Sequence, residues 1–222
     1  METEQLVARL SADLAPVRRL PAPGVRLGWW LLASVPAAGA VAAGYGLRPD
    51  LAVRFGDPAF VVEFGAAALT GLTGAYAALC AGLPDQPGWK LWLPAAPMLL
   101  WVLTLGRQCL DLWLRIGPRG LAVTDDLMCL PAIAFGGLVP ALAIVVLLRR
   151  GGKFRSLHAC FCGGIGAAAP GAAALRLYHP QDAAVMVLVW QFGSVALLTL
   201  IAGPLGRLLV GAGEHRPRFL AG

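Results

Sequence analysis

The residues able to carry chemistry are few, and they are scattered through a very apolar chain. Five cysteines (Cys80, Cys109, Cys129, Cys160, Cys162), three histidines (His158, His179, His215) and one carboxylate inside an apolar run, Glu63, are the candidates. None belongs to a common catalytic signature: there is no Gly-rich phosphate loop, no H-E-x-x-H and no G-x-S-x-G. No enzymatic turnover is expected. Cys160 and Cys162, two apart on a helix, point about 200° away from each other and cannot share a metal on one face. His158 and Cys162 do share a face, but no third ligand accompanies them. Cys109 and Cys129 are different, because one follows an apolar run, the other opens the next, and His179 falls on the same side. Two thiols and an imidazole on one rim can form a disulfide or bind a soft or borderline cation such as zinc or cadmium. Inert buried thiols are the competing reading. Glu63 is a candidate because an intramembrane carboxylate is expensive, yet its place about one turn inside its run suggests that it reaches the interface.

The elements that must hold these groups are read from hydropathy. Of 222 residues, 58% are hydrophobic, 28 are glycine and only 14% are charged. Mean hydropathy is +0.71. This is the composition of an integral membrane protein, not of a soluble domain or a disordered chain. Six stretches reach the ~20 apolar residues that a spanning helix needs: Leu27–Leu47, Phe60–Leu83, Leu91–Gly106 (with room to run on to Leu110), Leu127–Leu148, Leu157–Leu177 and Ala183–Leu205. In the second, Ala67/Gly71/Ala75 and Gly74/Ala78/Gly82 recur every four residues, a spacing that lets helices approach closely and places this span centrally. Pro131 and Pro140 predict a hinge in the fourth. The polar segment before the first span is not read as a cleavable signal.

Lysine and arginine orient the bundle. With six spans, twelve of the 18 basic residues fall on one side and six on the other: Arg48, Arg54, Arg107, Arg115, Arg119 and Arg176. That bias predicts both termini in the cytoplasm. The net charge of +6 is then a positive-inside signal and not a nucleic-acid footprint. Three parts follow: a cytoplasmic segment over 1–26, a six-span domain over 27–206 and a cytoplasmic tail over 207–222.

The first part looks separately functional. Thr3 to Ala15 reads TEQLVARLSADLA, with Leu6, Val7, Leu10 and Leu14 on one helical stripe. Pro16 predicts its end, and a basic extended linker carrying Arg18 and Arg19 follows. So short a helix is marginal alone. Its stripe requires a partner, either a lipid surface or a groove in a soluble protein.

The opening T-x-x-L-x-x-x-L-x-x-x-L-x-P-V-R-R-L (Thr3–Leu20) is joined by DDLMCLP (Asp125–Pro131), LYHPQDAAVMVLVW (Leu177–Trp190) and the closing GPLGRLL (Gly203–Leu209). In this order the chain resembles the NrsF family, bacterial inner-membrane anti-sigma factors that restrain extracytoplasmic-function (ECF) sigma factors. The resemblance implies an all-α, six-helix transmembrane bundle with a short N-terminal amphipathic helix. It implies a cytoplasmic sigma-factor partner held by the N-terminal segment, and a periplasmic pair of cysteines that senses metal or oxidant. Within that segment the Leu6, Leu10 and Leu14 stripe is the expected contact, with Arg18 and Arg19 steering towards an acidic surface or equally meeting lipid headgroups. The first family cysteine falls on Cys129. The second is expected where His179 stands, so Cys109 substitutes as the thiol partner, or Cys129 and His179 keep a mixed metal site, or sensing is lost or altered. Beyond such a regulatory metal ion no cofactor is expected. The reading from another class is a small secondary transporter or membrane-enzyme subunit built on Glu63, against which stands the lack of inverted repeats and of several buried charges.

Overall fold

The computed structural model describes residues 3–12, 19–151, 154–180 and 183–211, with Arg9 and Leu10 described by backbone alone. It is all-helical at 81% helix, and no strand occurs among the described residues. In chain order the helices are α1 (Thr3–Ala12), α2 (Pro23–Tyr45), α3 (Leu51–Arg54), α4 (Pro58–Ala81), α5 (Ala95–Ile116), α6 (Cys129–Gly136), α7 (Leu138–Arg149) and α8 (Ser156–Leu175). The last is composite: α9 (Ala184–Met186) passes through a π-helical turn, Val187–Phe192, into α10 (Gly193–Gly211). Local chemistry explains several boundaries. Pro23 and Pro58 open α2 and α4, where the missing N–H is no loss. The Asp57 carboxylate caps α4 by accepting from the Ala59 amide at 3.0 Å. Gly46 (φ 85°) and Gly117 (φ 70°) end α2 and α5 in the left-handed region.

Five helices are long and apolar enough to cross a membrane: α2, α4, α5 with its flanking 3-10 turns, α8 and the α9–α10 composite. The pair α6 and α7 makes a sixth if its 44° bend is one broken span. Helix α5 runs past the end expected for it, to Ile116, because Arg107, Gln108, Leu110, Leu112, Leu114 and Arg115 are good helix formers, and Asp111 pairs with Arg107 one turn back.

Glycine and alanine decide how the helices meet. Helices α4 and α8 form the central seam. A Cβ on Gly166 would lie 2.7 Å from the Ala75 amide nitrogen, one on Gly74 would lie 2.9 Å from the Gly166 nitrogen, and one on Gly71 would strike Pro170 at 2.5 Å. The two backbones therefore touch, as the small-residue spacing in the second span predicted. Helix α6 joins the same seam: a Cβ on Gly171 would fall 2.5 Å from the Ile133 carbonyl, and one on Gly137 would fall 2.7 Å from that of Ala167.

The bend between α6 and α7 lies between the two prolines, at Gly136–Gly137, and not at Pro131. Pro131 sits in the first turn of α6, where no hydrogen bond is lost. Pro140 cannot bond the Gly136 carbonyl and its ring presses on that group, so the helix yields four residues upstream. The Trp30 indole, reaching from α2, donates to the Pro140 carbonyl at 3.1 Å and pins the bend.

Candidate functional site

The bend and the seam bring three ligand-bearing side chains to one end of the bundle. Cys129 is the first residue of α6, and His179 follows the end of α8, where its amide bonds the Leu175 carbonyl at 2.8 Å. Gly136 and Gly171 hold these helices together; a Cβ on Gly136 would stand 3.3 Å from the Gly171 Cα. Asp126 completes the group from the link before α6. Its carbonyl accepts from the Cys129 amide at 3.1 Å, and its Oδ2 takes the Cys129 thiol at 3.1 Å and His179 Nε2 at 3.0 Å. One ligand atom from each of Asp126, Cys129 and His179 lies within 4.8 Å of the others.

The surroundings are graded from dry to wet. Cys129 is 1% exposed, whereas the His179 side chain is 31% exposed and meets solvent. A cleft of ≈ 520 Å³ opens on the group, lined in part by Tyr45, Met128, Pro131 and Tyr178. Tyr45 and Tyr178 stack with centroids 5.0 Å apart, tying α2 to the His179 segment. Across the other side, the Trp190 indole donates to the Thr124 carbonyl at 2.9 Å and anchors the link that carries Asp126. Burial pushes the Asp126 carboxyl up, but hydrogen bonds from His179 and Cys129, with the charge of His179, hold it below its ordinary value. Burial likewise raises the Tyr178 phenol, reinforced by Tyr45 and Cys129.

A thiolate, an imidazole and a carboxylate are together a donor set for a borderline divalent cation, with a fourth position left for water or an exogenous ligand. Oxidation of the same thiol to sulfenic acid requires a thiolate that the oxidant can reach, and Cys129 is buried against Asp126. Sequence reading chose Cys129 and His179 and missed Asp126. The signal was present, since Asp126 and Cys129 stand three apart, one helical turn, immediately before an apolar run.

The other expected residues distribute differently. Cys109 lies on α5 as a free thiol, packed against the apolar cluster that contains Cys129, and it is not among the converging ligand atoms. Glu63 does not reach the interface. It is 4% exposed, receives Arg176 Nη2 at 3.1 Å and is hydrogen-bonded by the Gln108 amide. Arg176, counted above as an outer charge, is itself 5% exposed and lies over the Phe60 ring at 4.9 Å. With Arg26 and Arg48 also buried, the expected lack of several buried charges is overturned. Arg48 is paired with Asp50 at 2.7 Å, and this holds the Asp50 carboxyl well below the usual carboxylate range. On α1, Leu6 and Val7 are exposed, as is Arg19 beyond the helix. The Leu10 side chain, Leu14 and Arg18 lie outside the described residues.

A family model described as NrsF, negative regulator of sigma F, matches residues 10–210, which takes in every described span and all three converging ligands. The chain belongs to the NrsF family. Membership implies negative regulation of a sigma factor, with a sigma factor as partner. Comparison with curated proteins and with solved structures finds no match.

Proposed function

We propose that this NrsF-family chain is an anti-sigma factor of the bacterial inner membrane. It holds an ECF sigma factor through its cytoplasmic segment, residues 1–26, and releases it when a metal ion or an oxidant acts on the periplasmic group Asp126–Cys129–His179. Both termini lie in the cytoplasm and the bent α6–α7 pair counts as one of six spans, the arrangement favoured by the two-to-one bias of basic residues. The observation that carries the reading is the convergence of a thiol, an imidazole and a carboxylate within 4.8 Å at one end of a family-matched bundle.

The exposed Leu6 and Val7 give α1 an apolar face to lay in a groove on the sigma factor, with Arg18 and Arg19 steering towards an acidic surface. The two ends of the bundle are linked by the broken span. Cys129 opens α6, the bend follows at Gly136–Gly137, and α7 leaves the bundle at Arg149, whose guanidinium bonds the Leu209 carbonyl at 2.8 Å and 3.0 Å. A cation bound by Cys129, His179 and Asp126 replaces the hydrogen bonds among the three with bonds to the ion and changes their spacing. The resulting displacement of α6 is passed to α7 through a bend that already exists.

Co-purification from the native host tests the holding step: the full chain should bring down a sigma factor, and the chain lacking residues 1–20 should not. The Leu6→Asp, Leu10→Asp double variant should behave like the truncation, since each buried leucine contributes roughly 1.5–3 kcal/mol. Sigma-factor release under cadmium, chromate or peroxide, compared among Cys129→Ser, His179→Ala and Cys109→Ser, tests the sensing step. Retention by the truncated chain defeats the first, and a wild-type response in all three variants defeats the second.

A further inference from the structure

At the end of the bundle away from Cys129, three guanidinium groups surround one void. Arg19 precedes α2, Arg26 lies in its first turns and Arg150 follows α7; with Leu20, Pro21 and Trp29 they line a cavity of ≈ 500 Å³. No carboxylate lines it among the described residues, and none of the three arginines forms an ion pair with a described carboxylate. Three like charges around one space repel unless an anion sits between them.

Arg26 makes the case specific. It is 2% exposed, and its one side-chain hydrogen bond among described groups goes from Nη2 to the Leu147 carbonyl, leaving a nearly buried cation without a described counter-charge. Room for it is built into the α7–α8 link, where a Cβ on Gly151 would stand 2.9 Å from Arg26 Nη2. Guanidinium forks match the oxygens of a phosphate, and Arg is the residue for such sites where it is withdrawn from water. Trp29, half exposed beside the cavity, is of the type that settles at headgroup depth.

We infer that the cavity among Arg19, Arg26 and Arg150 is a binding site for a phosphate group, supplied either by an anionic lipid headgroup or by free phosphate. It is a second site, at the far end of the bundle from the thiol group; it shares Arg19 with the segment proposed to hold the sigma factor, and is tested on the chain without that partner.

The full chain, purified in an uncharged detergent, tests this by native mass spectrometry with phosphatidylglycerol and with diacylglycerol, and by thermal unfolding in inorganic phosphate. Phosphatidylglycerol should be retained saturably and diacylglycerol should not. The exposed pair Arg19→Gln, Arg150→Gln should weaken retention about ten-fold or more, and leave the unfolding temperature without ligand unchanged. Gly151→Ala, which moves Arg26, should weaken it too. Stabilisation by inorganic phosphate with no lipid retention assigns the site to free phosphate; lipid retention alone assigns it to a headgroup. Equal retention of phosphatidylglycerol by wild type and the double variant, equal retention of diacylglycerol, or no response to either phosphate source overturns the proposal.

Discussion

Glu63 and Arg176 form an ion pair in which neither side chain is more than 6% exposed, with Arg176 Nη2 3.1 Å from Glu63 Oε2. They are 113 residues apart in sequence, and the pair ties the second turn of α4 to the end of α8, three residues before His179. Gln108 from α5 joins it. One polar knot thus braces three helices beneath the thiol group.

Removing one partner leaves a buried charge uncompensated, which costs about 3–5 kcal/mol. Glu63→Ala should therefore lower the thermal unfolding temperature sharply and reduce accumulation in the membrane. The double substitution Glu63→Gln, Arg176→Met should recover much of the loss. A single variant as stable as wild type would show that the pair is not a brace.

The α4–α8 seam leaves no space for a side chain. Gly166→Leu would drive its Cβ into the Ala75 backbone, which cannot retreat, and should destabilise by about 3 kcal/mol or more. Gly106→Ala on α5 meets nothing within 4 Å and should be neutral or slightly stabilising, because alanine is the better helix former. Unfolding of the two variants in the same detergent checks the contrast.

Cobalt reports directly on the thiol group. Addition of Co²⁺ should give a thiolate-to-metal charge-transfer band that Cys129→Ser abolishes, while Asp126→Asn and His179→Ala weaken binding about ten-fold or more. Acid should release the metal, since protons compete for the thiolate, imidazole and carboxylate. An unchanged spectrum in Cys129→Ser would place the ion elsewhere.

Asp126 also makes an acid-stability statement. Its folded-state pKa is depressed, so its contribution is fully present above the ordinary aspartate pKa of about 3.9 and fades as pH falls through the lower folded value. Thermal unfolding followed from pH 6 downwards should show a decline in the wild type that is smaller in Asp126→Asn. Parallel pH curves for the two proteins would contradict the assignment.

Much of this molecule was legible in its sequence because membrane spans are written in long apolar runs. The central place of the second span followed from the two small-residue series Ala67/Gly71/Ala75 and Gly74/Ala78/Gly82. What stayed hidden was pairing across distance. Glu63 read as interfacial because nothing local marks Arg176 or Gln108 as its partners. The fourth span's prolines announced a bend, but its position depended on Pro140 acting four residues upstream on Gly136, next to a second glycine. In the thiol group Cys129 and His179 stood out by residue type. Asp126 was masked by Asp125 beside it, since two adjacent carboxylates before a helix read as ordinary solvated charge.

The π turn at Val187–Phe192 has a consequence for the arithmetic of the last span. A π turn carries one residue beyond the α-helical repeat, which rotates everything after it by about 100° relative to an unbroken helix. Helix α9, before the turn, packs on α5, whereas α10, after it, packs along α8. Trp190, inside it, reaches Thr124. The span can thus serve two neighbours only while its residue count is kept. A conservative substitution there changes one contact, but deleting any one residue between 187 and 192 would turn the Trp190 half or the α10 half away from its partner. In this helix, length is as much a part of the specification as composition.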